Sequence, residues 1–259
     1  MGIATVEFRC DSLNRTTEFR AYIPDDLAPG QKLKTLYLLH GANGCNSDWL
    51  NYTRIALWAR QRNLAVIMPN GENSFYVDEK EGRSFYSKYI CEDLLNYTRN
   101  LFPLSDKRED TFICGLSMGG YGAVTNGLKY WQTFGYIAGL SSAFRVETYA
   151  DAVDGSDVFY LASRGYLKRT FGDLSKVAGS DMDYRTLALS VPREHFPHMY
   201  LCCGTEDSLL PANRAYHKFL ADHQLPVTYE EGPGGHDWDF WNTFILKILN
   251  WLPLEASHH

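Results

Sequence analysis

Five stretches of this chain are nearly continuous apolar runs, each containing or ending beside a glycine: 35-TLYLLHG-41, 64-LAVIMPNG-71, 111-TFICGL-116, 135-GYIAGLSS-142 and 198-HMYLCCG-204. A strand with one wet face alternates apolar and polar residues, so an unbroken run needs cover on both sides. Segments with helical spacing lie between the runs, over 49–62 and about 85–101, 118–130, 211–223 and 237–252, and a sixth strand is expected at 227-VTYEEGPG-234. Buried strands alternating with helices predict an α/β fold with a mostly parallel central sheet and helices on both faces. Residues 4–10 and 17–24 do alternate, which suits an antiparallel pair at a sheet edge. The stretch 143–196 breaks the rhythm and is richer in Asp, Ser, Gly and Arg. A segment that long between strands reads as an inserted cap or lid. One domain over 1–254 is therefore expected, with 255–259 as a tail or tag remnant.

Bulk properties narrow the choice of partner. The 259 residues carry a net charge of -6, mixed along the chain, which argues against nucleic acid or an anionic membrane surface. The start, MGIATVEFRC, has no basic region followed by an apolar stretch, and no run of 18 apolar residues occurs, so neither a signal peptide nor a membrane span is expected. The six cysteines show no metal-ligand spacing. Cys202 and Cys203 are adjacent within a strand, where side chains alternate faces, and read as buried thiols. A cytoplasmic setting fits best, although a secreted form with its leader trimmed would look the same.

Ligands of parallel sheets bind beyond the carboxyl ends of the strands. The residues there deserve the closest reading. Gly115-Leu116-Ser117-Met118-Gly119 fits G-x-S-x-G, between an expected strand and an expected helix. A tight strand-to-helix turn strains the central residue, and side chains two positions either way would collide, which calls for glycine at both. Such a turn lifts Ser117 Oγ clear of the sheet and sets it at a helix start, where a developing anion is favoured.

A serine hydroxyl is a weak nucleophile until a base takes its proton and an acid orients that base. Strand 198–204 leads into 205-TEDSLLP-211, which offers Glu206 and Asp207; the shorter Asp, one step further into the turn, is preferred. The last strand leads into 235-GHDWDFW-241 and offers His236. His40, His195, His198, His217 and His223 are rivals. His217 and His223 fall on a polar helix face, while His195 and His198 form H-x-x-H with no third ligand. Asp237 and Asp239 read as helix capping. Oxyanion donors are expected at the backbone N–H of Met118, after the serine, and of Ala42, in the glycine-rich loop 40-HGANG-44. That loop lacks the spacing of a phosphate cradle, so no nucleotide site is expected. Trp49, Phe75, Tyr76, Trp238 and Trp241 are candidates for a pocket wall, of which one or two should line an acyl site.

With these residues in hand, the chain resembles the esterase D family of α/β-hydrolases, its tributyrin esterase branch in particular. The similarity rests on 36-LYLLHGANGCNSDW-49, 64-LAVIMPNG-71, 112-FICGLSMGGYGA-123, 203-CGTED-207 and 234-GGHDWDFW-241. The resemblance implies a serine carboxylesterase acting on short acyl chains of a small-molecule ester. Ser117, Asp207 and His236 would form the triad, with donors at Ala42 and Met118, no metal and no cofactor. Relatives include S-formylglutathione hydrolases, feruloyl and acetyl-xylan esterases and mycolyltransferases. An acyltransferase or a thioesterase on the same scaffold is the alternative. A binding protein that had lost its chemistry should lack a triad member, and none is missing. The sequence leaves open whether the protein forms a homo-oligomer.

Overall fold

A computed structural model describes residues 2–25, 27–79, 82, 84–155 and 157–254; the expected tail at 255–259 lies outside them. In chain order the elements begin with β1 (Gly2–Cys10), β2 (Arg15–Ile23), β3 (Thr35–Leu39), α1 (Asp48–Tyr52), α2 (Ile55–Arg60) and β4 (Ala65–Pro69). A two-residue ribbon follows, β5 (Asp78–Glu79) with β6 (Ser84–Phe85), then α3 (Tyr86–Lys88), α4 (Leu94–Leu101), β7 (Thr111–Leu116) and α5 (Met118–Lys129). The remainder is β8 (Tyr136–Leu140), α6 (Arg164–Phe171), α7 (Tyr184–Ser190), β9 (His198–Gly204), α8 (Leu210–Asp222), β10 (Thr228–Gly232) and α9 (Trp238–Trp251).

The eight-stranded sheet runs β1-β2-β4-β3-β7-β8-β9-β10. β1 and β2 form the antiparallel edge; from β4 onward every pairing is parallel. β3, β4 and β7 are buried at every position, which is why their sequences do not alternate. The pleat still divides the side chains. Tyr37, Leu39 and Ile113 enter one core, with α5 and α8, while Leu36, Leu38, Phe112 and Cys114 enter the other, with α1, α2 and α9. β7 lies centrally between β3 and β8, so whatever follows it emerges at mid-sheet.

Two expected helices are modified. The helix over 49–62 is split, because Thr53 is extended (φ -134°, ψ 171°) and its hydroxyl donates to the Trp49 carbonyl while accepting from the Ile55 N–H. The helix over 85–101 contains a π-helical turn at Tyr89–Asp93. Asp93 reaches the β1–β2 turn from there and accepts from Ser12 N–H at 2.9 Å.

Residues 143–196 contain α6, α7 and four short 3₁₀ turns. Phe144, Tyr149, Leu167, Phe171, Tyr184 and Leu187 belong to the same core as α5, so most of this segment is structural cover. Every residue of α5 from Met118 to Leu128 is buried, and the Tyr121 hydroxyl donates to Met182 O at 2.5 Å. No helix among the described residues is long and apolar enough to cross a membrane.

Candidate active site

Ser117 follows β7 with φ 55° and ψ -118°, a conformation that costs an L-residue about 1–3 kcal/mol and persists only where the surroundings enforce it. They do so here. Ser117 N–H donates to Leu140 O at 2.8 Å, and Ser117 O accepts from Tyr121 N–H at 3.0 Å and Ala143 N–H at 3.1 Å. A Cβ at Gly115 would lie 2.3 Å from Gly119 O, and one at Gly119 would lie 2.5 Å from His40 O. Glycine at both places is thus a requirement of backbone packing around the serine. Ser117 itself is 8% exposed.

The histidine and the acid arrive from neighbouring loops. His236 Nε2 is 2.9 Å from Ser117 Oγ, and His236 Nδ1 is 2.9 Å from Asp207 Oδ2. A carboxylate can only accept, so the proton on the ring sits at Nδ1 and Nε2 is left to accept from the serine hydroxyl. Asp207 follows β9, its side chain fully enclosed, and its Oδ1 accepts from Leu209 N–H at 2.8 Å. Glu206, its rival, does something else. Its N–H donates to Gly234 O at 3.1 Å and its Oε2 accepts from Gly234 N–H at 2.9 Å, tying the acid loop to the histidine loop. Asp237 caps α9 through Phe240 N–H at 3.0 Å, as its position suggested.

Burial alone would push the Asp207 carboxyl up, but the bonds from His236, the Leu209 N–H and the Ser141 hydroxyl outweigh it and hold the group below its ordinary value. A depressed carboxyl stabilises the fold fully above its unfolded-state value, near about 3.9, and the stabilisation is lost as pH falls through the native value. Melting temperature measured against pH should therefore show a gap between wild type and Asp207→Asn. The gap is largest at neutral pH and closes on acidification below the carboxylate range; a gap independent of pH would contradict this account.

Ala42 and Met118 both border the serine. The Met118 N–H belongs to the first turn of α5, where no carbonyl lies one turn back. The Ala42 loop is held by a residue whose part the sequence did not reveal. His40 is buried, its Nδ1 donating to Gly41 O at 2.7 Å and its Nε2 accepting from Gly71 N–H at 2.8 Å. Only the neutral ring can do both, and burial lowers its pKa, which keeps it neutral.

Two clefts open beside Ser117. The first, about 410 Å³, is walled by Phe75, Met118, Leu161, Leu167 and Leu209. The second, about 400 Å³, is walled by Asn43, Asp48, Tyr52, Trp238 and Trp241. Of the five aromatics expected at a pocket, Phe75, Trp238 and Trp241 line a cleft. Trp49 and Tyr76 line neither cleft, while Phe75 and Trp241 belong to the core and border a cleft as well. The Trp49 indole N–H donates to Leu39 O at 3.0 Å, and the Tyr76 hydroxyl donates to His40 O at 3.0 Å, so each polar tip is spent on the scaffold. Three of the other histidines stack on aromatics away from the clefts: His195 on Trp131, His198 on Tyr136 and His217 on Tyr229. His223, just past the end of α8, bonds Phe219 O through Nδ1.

Comparison with known proteins identifies the family of the chain. The Esterase family model matches residues 10–252. The chain is 40% identical to an acetyl esterase of Caldicellulosiruptor saccharolyticus, over 97% of this chain and 98% of that protein. Among solved structures, it resembles the substrate-bound fluorophosphonate-binding serine hydrolase F of Staphylococcus aureus, with 29% identity, TM-score 0.86 and 97% and 98% of the two chains covered. It also resembles an S-formylglutathione hydrolase of Staphylococcus aureus, with 28% identity, TM-score 0.82 and 97% and 99% covered.

Proposed function

Because the chain belongs to the esterase family, serine hydrolases of the α/β-hydrolase fold that cleave carboxylic ester bonds, we propose that it is a carboxylesterase for short-chain acyl esters working through an acyl-enzyme on Ser117. Ser117 Oγ attacks the ester carbonyl while His236 Nε2 takes its proton. Asp207 holds the imidazole and supports the positive charge it gains. The N–H groups of Met118 and Ala42 stabilise the oxyanion. The protonated His236 then gives its proton to the departing alkoxide, and water, activated by the same nitrogen, releases the acid. The observation that carries this reading is the unbroken relay from Asp207 through His236 to Ser117, with two contacts of 2.9 Å.

The acyl chain fits the apolar first cleft, whose mouth is walled by residues of 143–196, among them Arg145, Thr148 and Val153. That part of the segment serves as the cap. Tributyrin-like glycerides suit such a cleft. A cytoplasmic setting belongs to the same reading, and the six unbridged thiols support it. A fluorophosphonate probe tests the proposal: we expect stoichiometric labelling at Ser117, slowed while saturating p-nitrophenyl butyrate is present. A protein that neither takes the label nor releases p-nitrophenol would refute it.

A further inference from the structure

The two clefts beside the serine have four lining residues in common: Ala42, Ser117, His236 and Phe159. The first three carry the chemistry proposed above. Phe159 carries none of it. Phe159 is 63% exposed, whereas Ser117 is 8% exposed, so it stands on the outer side of the serine where the clefts meet. A single exposed apolar side chain needs no explanation in itself. An aromatic ring placed at the junction of two clefts that also share a nucleophile and a base does need one.

An ester has two halves, and its carbonyl carbon must lie at Ser117 with the oxygen between Ala42 and Met118. Met118 lines only the first cleft, together with Leu161 and Leu167, which directs an apolar acyl chain there. The alcohol half is left to the second cleft. There Tyr52, 57% exposed, stacks on Trp238 with centroids 5.0 Å apart and planes at 29°, and Asp48 and Asn43 lie alongside. A flat face bordered by polar groups suits a ring-shaped alcohol.

We propose that Phe159 is a specificity-determining residue that covers the bound ester and touches both its halves, so that the enzyme selects, within the short-chain range, esters that combine a longer acyl chain with a ring-bearing alcohol. This rests on the serine-esterase reading of the same site. If one side chain contacts both halves, their effects on catalysis are coupled, and a cycle of substrates measures the coupling as a double-mutant cycle does.

The test uses the full chain with ethyl acetate, ethyl hexanoate, benzyl acetate and benzyl hexanoate. In wild type, kcat/KM for benzyl hexanoate should exceed the product of the separate gains by roughly tenfold, the order expected from burying about half an aromatic ring. Phe159→Ala should bring the coupling to about one and lower kcat/KM for benzyl hexanoate by roughly tenfold, mainly through KM, with a smaller loss on ethyl acetate. Phe159→Leu should restore part of the coupling. Tyr160→Ala, which removes an equally exposed ring that lines neither cleft, should keep it. Unchanged melting temperatures exclude a folding defect. An equal loss on all four esters, or no loss on benzyl hexanoate, overturns the assignment. A wild-type protein that turns over none of the four removes the esterase reading and the proposal with it, an outcome distinct from active wild type with a silent Phe159→Ala.

Discussion

Ser117→Ala lowers kcat for p-nitrophenyl butyrate by roughly 10⁴- to 10⁶-fold while the protein stays folded. The size follows from how the three side chains are linked. His236 accepts from the serine and is held by an enclosed Asp207, so removing the hydroxyl leaves the base with nothing to activate except water. On the mechanism proposed above, what survives is the background supplied by the Ala42 and Met118 N–H groups and substrate binding. The fold should tolerate the change, since a methyl replaces a hydroxymethyl and every backbone bond of residue 117 remains. Steady-state turnover, with labelling to check for trace wild type, reads the result. A loss below tenfold would mean that another group attacks the ester.

Gly119→Ala should destabilise the fold by more than about 3 kcal/mol and abolish activity with it. The added carbon would meet His40 O at 2.5 Å and Leu39 O at 2.7 Å, both backbone atoms of a central strand or its end. Neither can rotate away, so α5 must lift from the sheet and carry the Ser117 turn off its position beside Ala42. Gly165→Ala is the natural control. Its nearest neighbour would be Asp154 Oδ1 at 3.4 Å, a side-chain contact at ordinary van der Waals range, and replacing a helical glycine there should raise stability by about 0.4–1 kcal/mol. Denaturant titration of the pair should give opposite signs, and a mild effect at Gly119 would show that the helix is less tightly seated than it looks.

The sheet was legible because its central strands are buried on both faces, which leaves an unbroken apolar signature. The candidate site was legible because strand ends fix where chemistry can stand, so the meeting of Ser117, Asp207 and His236 could be sought at three known places. Side-chain direction was not legible. Trp49 and Tyr76 have the same composition signal as Trp238, yet they line neither cleft and spend their polar tips on Leu39 O and His40 O. Ties between distant loops were equally hidden: nothing local to Glu206 announces Gly234, and nothing local to His40 announces Gly71. The break at Thr53 depends on one hydroxyl competing for the Trp49 carbonyl, a contest that helical periodicity does not register. Residues 143–196 looked irregular because their core positions sit on 3₁₀ turns and short helices, where no long period can develop.

The burial of α5 on all sides limits what protein engineering can do with the segment above it. A helix with no wet face cannot be uncovered, so trimming back to Phe144, Tyr149 or Tyr184 would strip an oily rod bare and invite aggregation. Among the described large apolar residues of the segment, Val153, Phe159 and Tyr160 are free of that duty, each of them being at least 60% exposed. Grafts meant to retune selectivity belong there, and the rest of the segment must travel intact with the helix it shelters.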